Sequence, residues 1–268
     1  MAQPPRPERL IGEILGEPSA RMRNPANADY QCPFLNGQCI KRGHHLAGPY
    51  PVCSVRRKTK PNLITVCPKR FLEADIVADV IKHCWPGKPP QNPRISHEVS
   101  MAKFGKVDLV ICDYDAQAHA VREFVSVELQ AVDISGSVEP AYTGVLNSAS
   151  SVQVSYGINW ANVRKRYIDQ LVAKCFYHSQ WNTRIVAVMQ SPLYDYLRAH
   201  MQFDEMSPGA GGVDVAFLLY DYVESDDHHT LIFDRVVGTS HSSLMMSTLY
   251  QKTPPKSAFT KRILERLE

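Results

Sequence analysis

The sequence predicts an α/β protein: a mixed central sheet flanked by helices and preceded by a small metal-binding module built on four cysteines. Three observations carry that expectation. Two runs, Val107–Ile111 and Phe124–Gln130, are dominated by β-branched and apolar residues and contain no Gly or Pro, as strands do. Phe71, Ala74, Val77, Ala78, Ile81 and Cys84 recur at helical spacing ahead of them. Cys32, Cys39, Cys53 and Cys67 fall in one stretch with Gly, Pro and basic residues but almost no core-forming pattern.

The bulk numbers set the frame. A chain of 268 residues, 44% hydrophobic and 21% charged, suffices for one large domain or one domain with a small module. A net charge of +3 permits a nucleic-acid partner without demanding one, since a few residues in one cleft can supply the field. The N-terminus lacks the apolar core of a signal peptide, and no apolar run reaches membrane-spanning length. The expectation is a soluble, cytoplasmic protein, whose seven cysteines are not expected to form disulfides in a reducing compartment.

Along the chain, residues 1–30 are rich in Pro, Arg and Asn and read as an arm, with little pattern beyond Leu10–Leu15. Residues 31–68 form the cysteine module, and 69–268 the main domain. Its first helix has Pro68 near the first turn and Trp85-Pro86-Gly87 as its stop. After a Pro-rich connector come strands around Ile95–Val99, Val107–Cys112 and Phe124–Val132. Ser135–Ile158 is Ser/Gly/Asn/Tyr-rich and reads as a long loop, a functional one or a flexible one. A second amphipathic helix carries Trp160, Val163, Tyr167, Leu171 and Cys175 on one side. A buried strand at Arg184–Met189, a short helix from Pro192, strands at Val213–Val223 and Leu231–Val237, and helices near Ser242–Tyr250 and Ala258–Leu267 complete the order.

The chemistry concentrates on the strand pair. Side chains alternate along a strand, so Ser126, Glu128 and Gln130 share one face and Val125, Val127 and Leu129 the other. If the two strands form a hairpin, Asp108 approaches Glu128. Paired carboxylates repel unless a cation sits between them, and oxygen ligands favour a hard ion, Mg²⁺ by default. Glu98, on the preceding segment, supplies a third carboxylate. Asp113, Asp115 and Asp133 compete for the role, with Asp113 expected in a turn that ends its strand. The plain alternative is a solvent-facing strand that simply carries polar residues.

A helix, then an Asp early in one strand, then Glu-x-Lys on the next, is the pattern of the PD-(D/E)xK nucleases; Gln130 stands where Lys is usual. With a Gln at this place and a cysteine cluster N-terminal to this core, the chain resembles the NotI-type restriction endonucleases. The resemblance covers roughly residues 68–190, and the cysteines extend it toward the N-terminus. It implies catalytic roles for Glu98, Asp108, Glu128 and Gln130. It also implies cleavage of double-stranded DNA at a GC-rich palindrome, 5′-phosphate products and a homodimer, because a palindrome asks for a two-fold reader. Gln in place of Lys offers a dipole where the family has a charge, so metal ions must carry more of the stabilisation.

Four thiols in a segment too poor in apolar residues to fold alone fit a structural metal knot; free thiols or redox pairs are the alternatives. Neither pair has the short C-x₂₋₄-C knuckle, and His44 or His45 is able to replace one ligand. Tetrathiolate chemistry makes zinc the default, whereas the resemblance implies iron. Cys84, Cys112 and Cys175 fall within apolar patterns and read as small core residues. The basic runs Arg56-Arg57-Lys58-Thr59-Lys60 and Arg164-Lys165-Arg166 are candidate phosphate contacts or solvated surface. His228-His229 after Asp226-Asp227 reads as a hairpin turn rather than a metal site. A non-catalytic, zinc-stabilised DNA-binding protein is the competing function.

Overall fold

The computed structural model describes residues 5–21, 24–43, 45–56, 62–154, 156–250 and 254–267. Six short strands lie N-terminal: β1 (Ile11–Ile14), β2 (Glu17–Pro18), β3 (Gln31–Cys32), β4 (Gly37–Gln38), β5 (Val52–Arg56) and β6 (Leu63–Thr65). Four of them make an antiparallel sheet in the order β2-β1-β5-β6, while β3 and β4 pair as a separate hairpin. The segment expected as an arm is therefore built into the protein. Ile11 and Ile14 are fully buried and align with Val55 and Val52 of β5. A four-residue strand is too short to announce itself by periodicity; its burial comes from a partner roughly forty residues away. Gly12 makes the approach possible, because a Cβ there would lie 2.3 Å from Leu63 Cδ2. The cysteine segment likewise has a core, with Val52, Val55, Leu63 and Ile64 buried.

A 3₁₀ turn (Pro68–Glu73) then leads into α1 (Ile76–His83). The expected single helix is broken at Asp75, whose carboxylate accepts the Ala78 N–H at 3.0 Å and caps α1 instead of continuing the turn. Next come β7 (Pro93–Ser100), β8 (Lys106–Asp115) and β9 (Ala120–Gln130), an antiparallel meander. Asp113 lies within β8, not in a turn, and its carboxylate accepts the N–H groups of Gln91 and Asn92.

The stretch expected as a long loop is mostly ordered structure. β10 (Ile134–Gly136) pairs with β11 (Tyr156–Ile158), and α2 (Glu139–Leu146) between them buries Ala141, Tyr142 and Val145. Its Ser, Gly and Asn content hid a helix whose stability comes from packing rather than propensity. The second amphipathic helix begins as α3 (Trp160–Asn162), passes through a π segment (Val163–Tyr167) and continues as α4 (Ile168–Gln180). The chain ends with β12 (Arg184–Gln190), α5 (Ser191–His200), β13 (Val215–Glu224), β14 (His229–Thr239), α6 (His241–Leu249) and α7 (Lys256–Leu264). Residues 225–228 form the turn between the last two strands, so His228 lies in the expected turn, whereas His229 opens β14 and is buried.

The central sheet runs β14-β13-β12-β9-β8-β7, with β12 parallel to both β9 and β13 and the other pairs antiparallel. It is mixed, covered on both faces at β12 and exposed along the β7 edge. Against one face pack Phe71, Ile76 and Val80, meeting Leu109, Ile111, Val125 and Val127. Against the other lie α2, α4, α5 and the N-terminal sheet, meeting Ile185, Ala187 and Met189. All seven residues of β12 are buried, which is why that strand reads as a continuous apolar run. Cys84, Cys112 and Cys175 are buried as expected. Among the described residues no helix is long and apolar enough to cross a membrane.

Candidate active site

The alternation of β9 buries Val125, Val127 and Leu129 on one side and turns Ser126, Glu128 and Gln130 to the other. The register pairs Leu109 with Val127, so one step further Asp108 stands opposite Glu128. On the other side of β8, Glu98 is bracketed by the pairs His97–Leu109 and Val99–Val107, which places it beside Asp108. The three acidic residues thus occupy adjacent positions across three neighbouring strands. Their side-chain exposure falls from 63% at Glu98 through 29% at Asp108 to 13% at Glu128, so the row opens at the β7 edge and closes toward β12. Glu98 adopts φ +50°, a left-handed conformation unusual within a strand.

Each carboxylate has a cation. Lys174 of α4 donates to Glu128 Oε1 and, at 2.7 Å, to the Lys106 carbonyl. Lys69 of the 3₁₀ turn places Nζ 3.6 Å from Asp108 Oδ1, while the Leu129 N–H donates to Asp108 Oδ2 at 2.9 Å. Lys106 pairs with Glu98 at 3.1 Å. Burial pushes the Glu128 carboxyl upward, Lys174 opposes that shift, and Asp108 reinforces it. The hydrogen bond from Lys106 holds Glu98 below its ordinary value, helped by Lys69. Gln130 donates its amide to the Ala131 carbonyl.

Two further groups complete the surroundings. Tyr167, last residue of the π segment, is buried, and its hydroxyl has no hydrogen-bond partner among the described residues. Burial raises its phenol well above the ordinary value, and the charges of Glu128 and Asp108 add to the effect. His178 bridges the Lys174 carbonyl (Nδ1, 2.8 Å) and the Ser126 hydroxyl (Nε2, 2.8 Å) beneath the strand. Among the described residues no group of three His, Cys, Asp or Glu side chains stands close enough together to hold a metal ion. The acidic row in this state is neutralised by lysines.

The competitors of the row are occupied elsewhere. Asp115 accepts from Gln117, Ala118 and Arg122 in the β8–β9 turn, and Asp133 accepts from Asn162. Lys69, Lys174 and Tyr167 escape a search for acidic motifs. Lys174 does leave a signal: Leu171, Lys174, Cys175 and His178 share one buried helix face, and a lysine inside such a stripe needs a partner.

The four cysteines of the N-terminal segment share one neighbourhood. Cys67 raises the thiols of Cys32, Cys39 and Cys53, although burial is the larger cause in each. All are free. Lys41 lies among them and donates to the carbonyls of Val52 (2.8 Å) and Val66 (3.1 Å). The four thiols do not gather closely enough to hold a metal ion among the described residues, so the expected Cys₄ site is not formed in this structure.

Of the candidate DNA contacts, Arg57, Lys58 and Lys60 lie outside the described residues, as does His44. Arg56 pairs with Glu224 at 2.6 Å. Lys165 and Arg166 are exposed on the π segment, and Arg164 is half-buried there.

No curated protein matches the chain. A family model described as restriction endonuclease NotI matches residues 13–233, spanning most of the N-terminal sheet, the acidic row and the first part of β14.

Proposed function

The chain belongs to the NotI restriction endonuclease family, and on that premise we propose that it is a type II enzyme that hydrolyses double-stranded DNA at a GC-rich palindrome with Mg²⁺, leaving 5′-phosphates. The observation that carries the reading is the cross-strand row Glu98–Asp108–Glu128 within the matched region. In this proposal Asp108 and Glu128 hold the Mg²⁺, Glu98 extends the site from the open edge, and Gln130 orients the attacking water or a phosphate oxygen. Bound Mg²⁺ supplies charge to the phosphate and lowers the pKa of water.

Cys32, Cys39, Cys53 and Cys67 hold a structural iron or zinc ion in the same proposal, and residues 31–68, which share a sheet with β1 and β2, form the module that it staples ahead of the nuclease domain (69–268). Arg56, Arg57, Lys58 and Lys60, with Arg164, Lys165 and Arg166, lie along the DNA backbone, and two copies of the chain read the palindrome in a prokaryotic cytoplasm. Elemental analysis identifies the thiolate-bound ion, and sedimentation fixes the copy number.

Cleavage itself provides the test. Incubation with mixed genomic DNA yields discrete fragments with Mg²⁺ and none with EDTA. Glu128→Ala and Asp108→Ala each lower the cleavage rate by more than about a hundredfold, because even the outer groups that orient a metal's ligands are worth about 10–100-fold. Gel retardation in EDTA stays within a few-fold of the parent. Retardation without cutting by the parent protein selects the zinc-stabilised binder instead, a reading that the lysine pairing of the acids also accommodates.

A further inference from the structure

Hydrolysis of a phosphodiester builds negative charge on the phosphate oxygens and the leaving oxygen, and a positioned cation is what stabilises it. Gln130 carries no charge and turns its amide to its own neighbour. Of the cations at the row, two come from outside the meander, and they differ in how they are held. Lys174 is only 7% exposed and has two acceptors. Lys69 is 22% exposed, and at 3.6 Å from Asp108 it is ion-paired beyond hydrogen-bonding distance. Its charge also reaches Glu98.

The backbone of Lys69 is fixed on both sides. Pro68 before it has a locked φ and follows Cys67 directly, and the Cys67 carbonyl accepts the Arg70 N–H at 3.0 Å. Arg70 is fully buried and bound to Glu13 of β1, to Glu73 and to the His229 carbonyl. A rigid base carrying a loosely held ammonium beside the acidic row is the arrangement of a group that meets an incoming anion.

We propose that Lys69 is a catalytic residue, contacting the scissile phosphate, and that the Cys67-Pro68 step positions it. The proposal rests on the nuclease reading above and gives the cysteine module a second role, that of aiming a side chain into the site.

Two readouts test it. In single-turnover cleavage of genomic DNA with Mg²⁺, Lys69→Met lowers the rate at least about a hundredfold, the scale of losing one preorganised charge stabiliser. Lys69→Arg recovers part of that loss, and Pro68→Gly, which keeps the lysine but loosens its base, is slowed about tenfold. All three melt near the parent temperature and retard DNA in EDTA as the parent does. Separately, acetylation of the parent protein in EDTA by an N-hydroxysuccinimide ester, mapped by mass spectrometry, modifies Lys69 and is suppressed by sheared genomic DNA. Cleavage by Lys69→Met within about threefold of the parent, or acetylation that DNA does not slow, overturns the catalytic assignment. Cleavage by Pro68→Gly at the parent rate overturns the positioning. Failure of the parent to cut any DNA overturns the nuclease reading instead, and the acetylation arm still decides whether Lys69 meets phosphate.

Discussion

Lys174 and His178 stand one helical turn apart on α4, and together they set the electrostatics beneath the acidic row. The Nδ1–H of His178 donates to the Lys174 carbonyl while Nε2 meets the Ser126 hydroxyl, and burial lowers its basicity below the ordinary value of 6.5. The unfolded chain therefore takes up this proton first, so the contribution to stability is complete above pH 6.5 and declines as the pH falls toward the lowered folded value. Denaturant midpoints measured from about pH 8 to about pH 5 should fall for the parent, and His178→Gln should remove part of that slope. An equal slope in both proteins would mean that other groups dominate. The carboxylates themselves were legible from residue types and period-two alternation. The lysines were not, because nothing in a linear reading brings positions 69 and 108 together.

At the scale of elements, legibility tracked how far a segment's stability is local. The β8–β9 pair alternates, β12 is an uninterrupted apolar run and α1 keeps its helical spacing from Ile76 on, so these elements are legible even where their bounds shift. β1, α2 and the β10–β11 pair do not: each is short, polar in part, and stabilised by partners distant in the chain. β1 shows the consequence of such dependence. The position of Gly12 leaves no room for a methyl group against Leu63 and Ser54 Oγ (2.6 Å). Gly12→Val should cost about 1–3 kcal/mol, the usual range for overpacking a filled site, and should show in thermal melts. A melt unchanged from the parent would show that β1 moves aside freely.

At the scale of the molecule, Arg70 and Glu13 join the N-terminal sheet to the central one. Both are fully buried; Glu13 also accepts from Tyr222 of β13, and Arg70 donates to His229 of β14. Glu13→Ala should cost up to about 3–5 kcal/mol, because the buried Arg70 guanidinium is left with Glu73 as its counter-ion. The double variant Glu13→Leu, Arg70→Met should recover much of the loss, and chemical denaturation would measure both. The acidic row has a different provenance. Glu98, Asp108 and Glu128 belong to one unbroken meander with tight connections, whereas Lys69 precedes it and Lys174 reaches it only after the crossover through β10, α2 and β11. Contacts between chain neighbours close early and distant ones late. Formed alone, the meander gathers three like charges with Lys106 as the cation it brings to them, and Lys174 joins from further along the chain. Added salt should accelerate this protein's collapse, and Asp108→Asn should make the rate nearly indifferent to ionic strength.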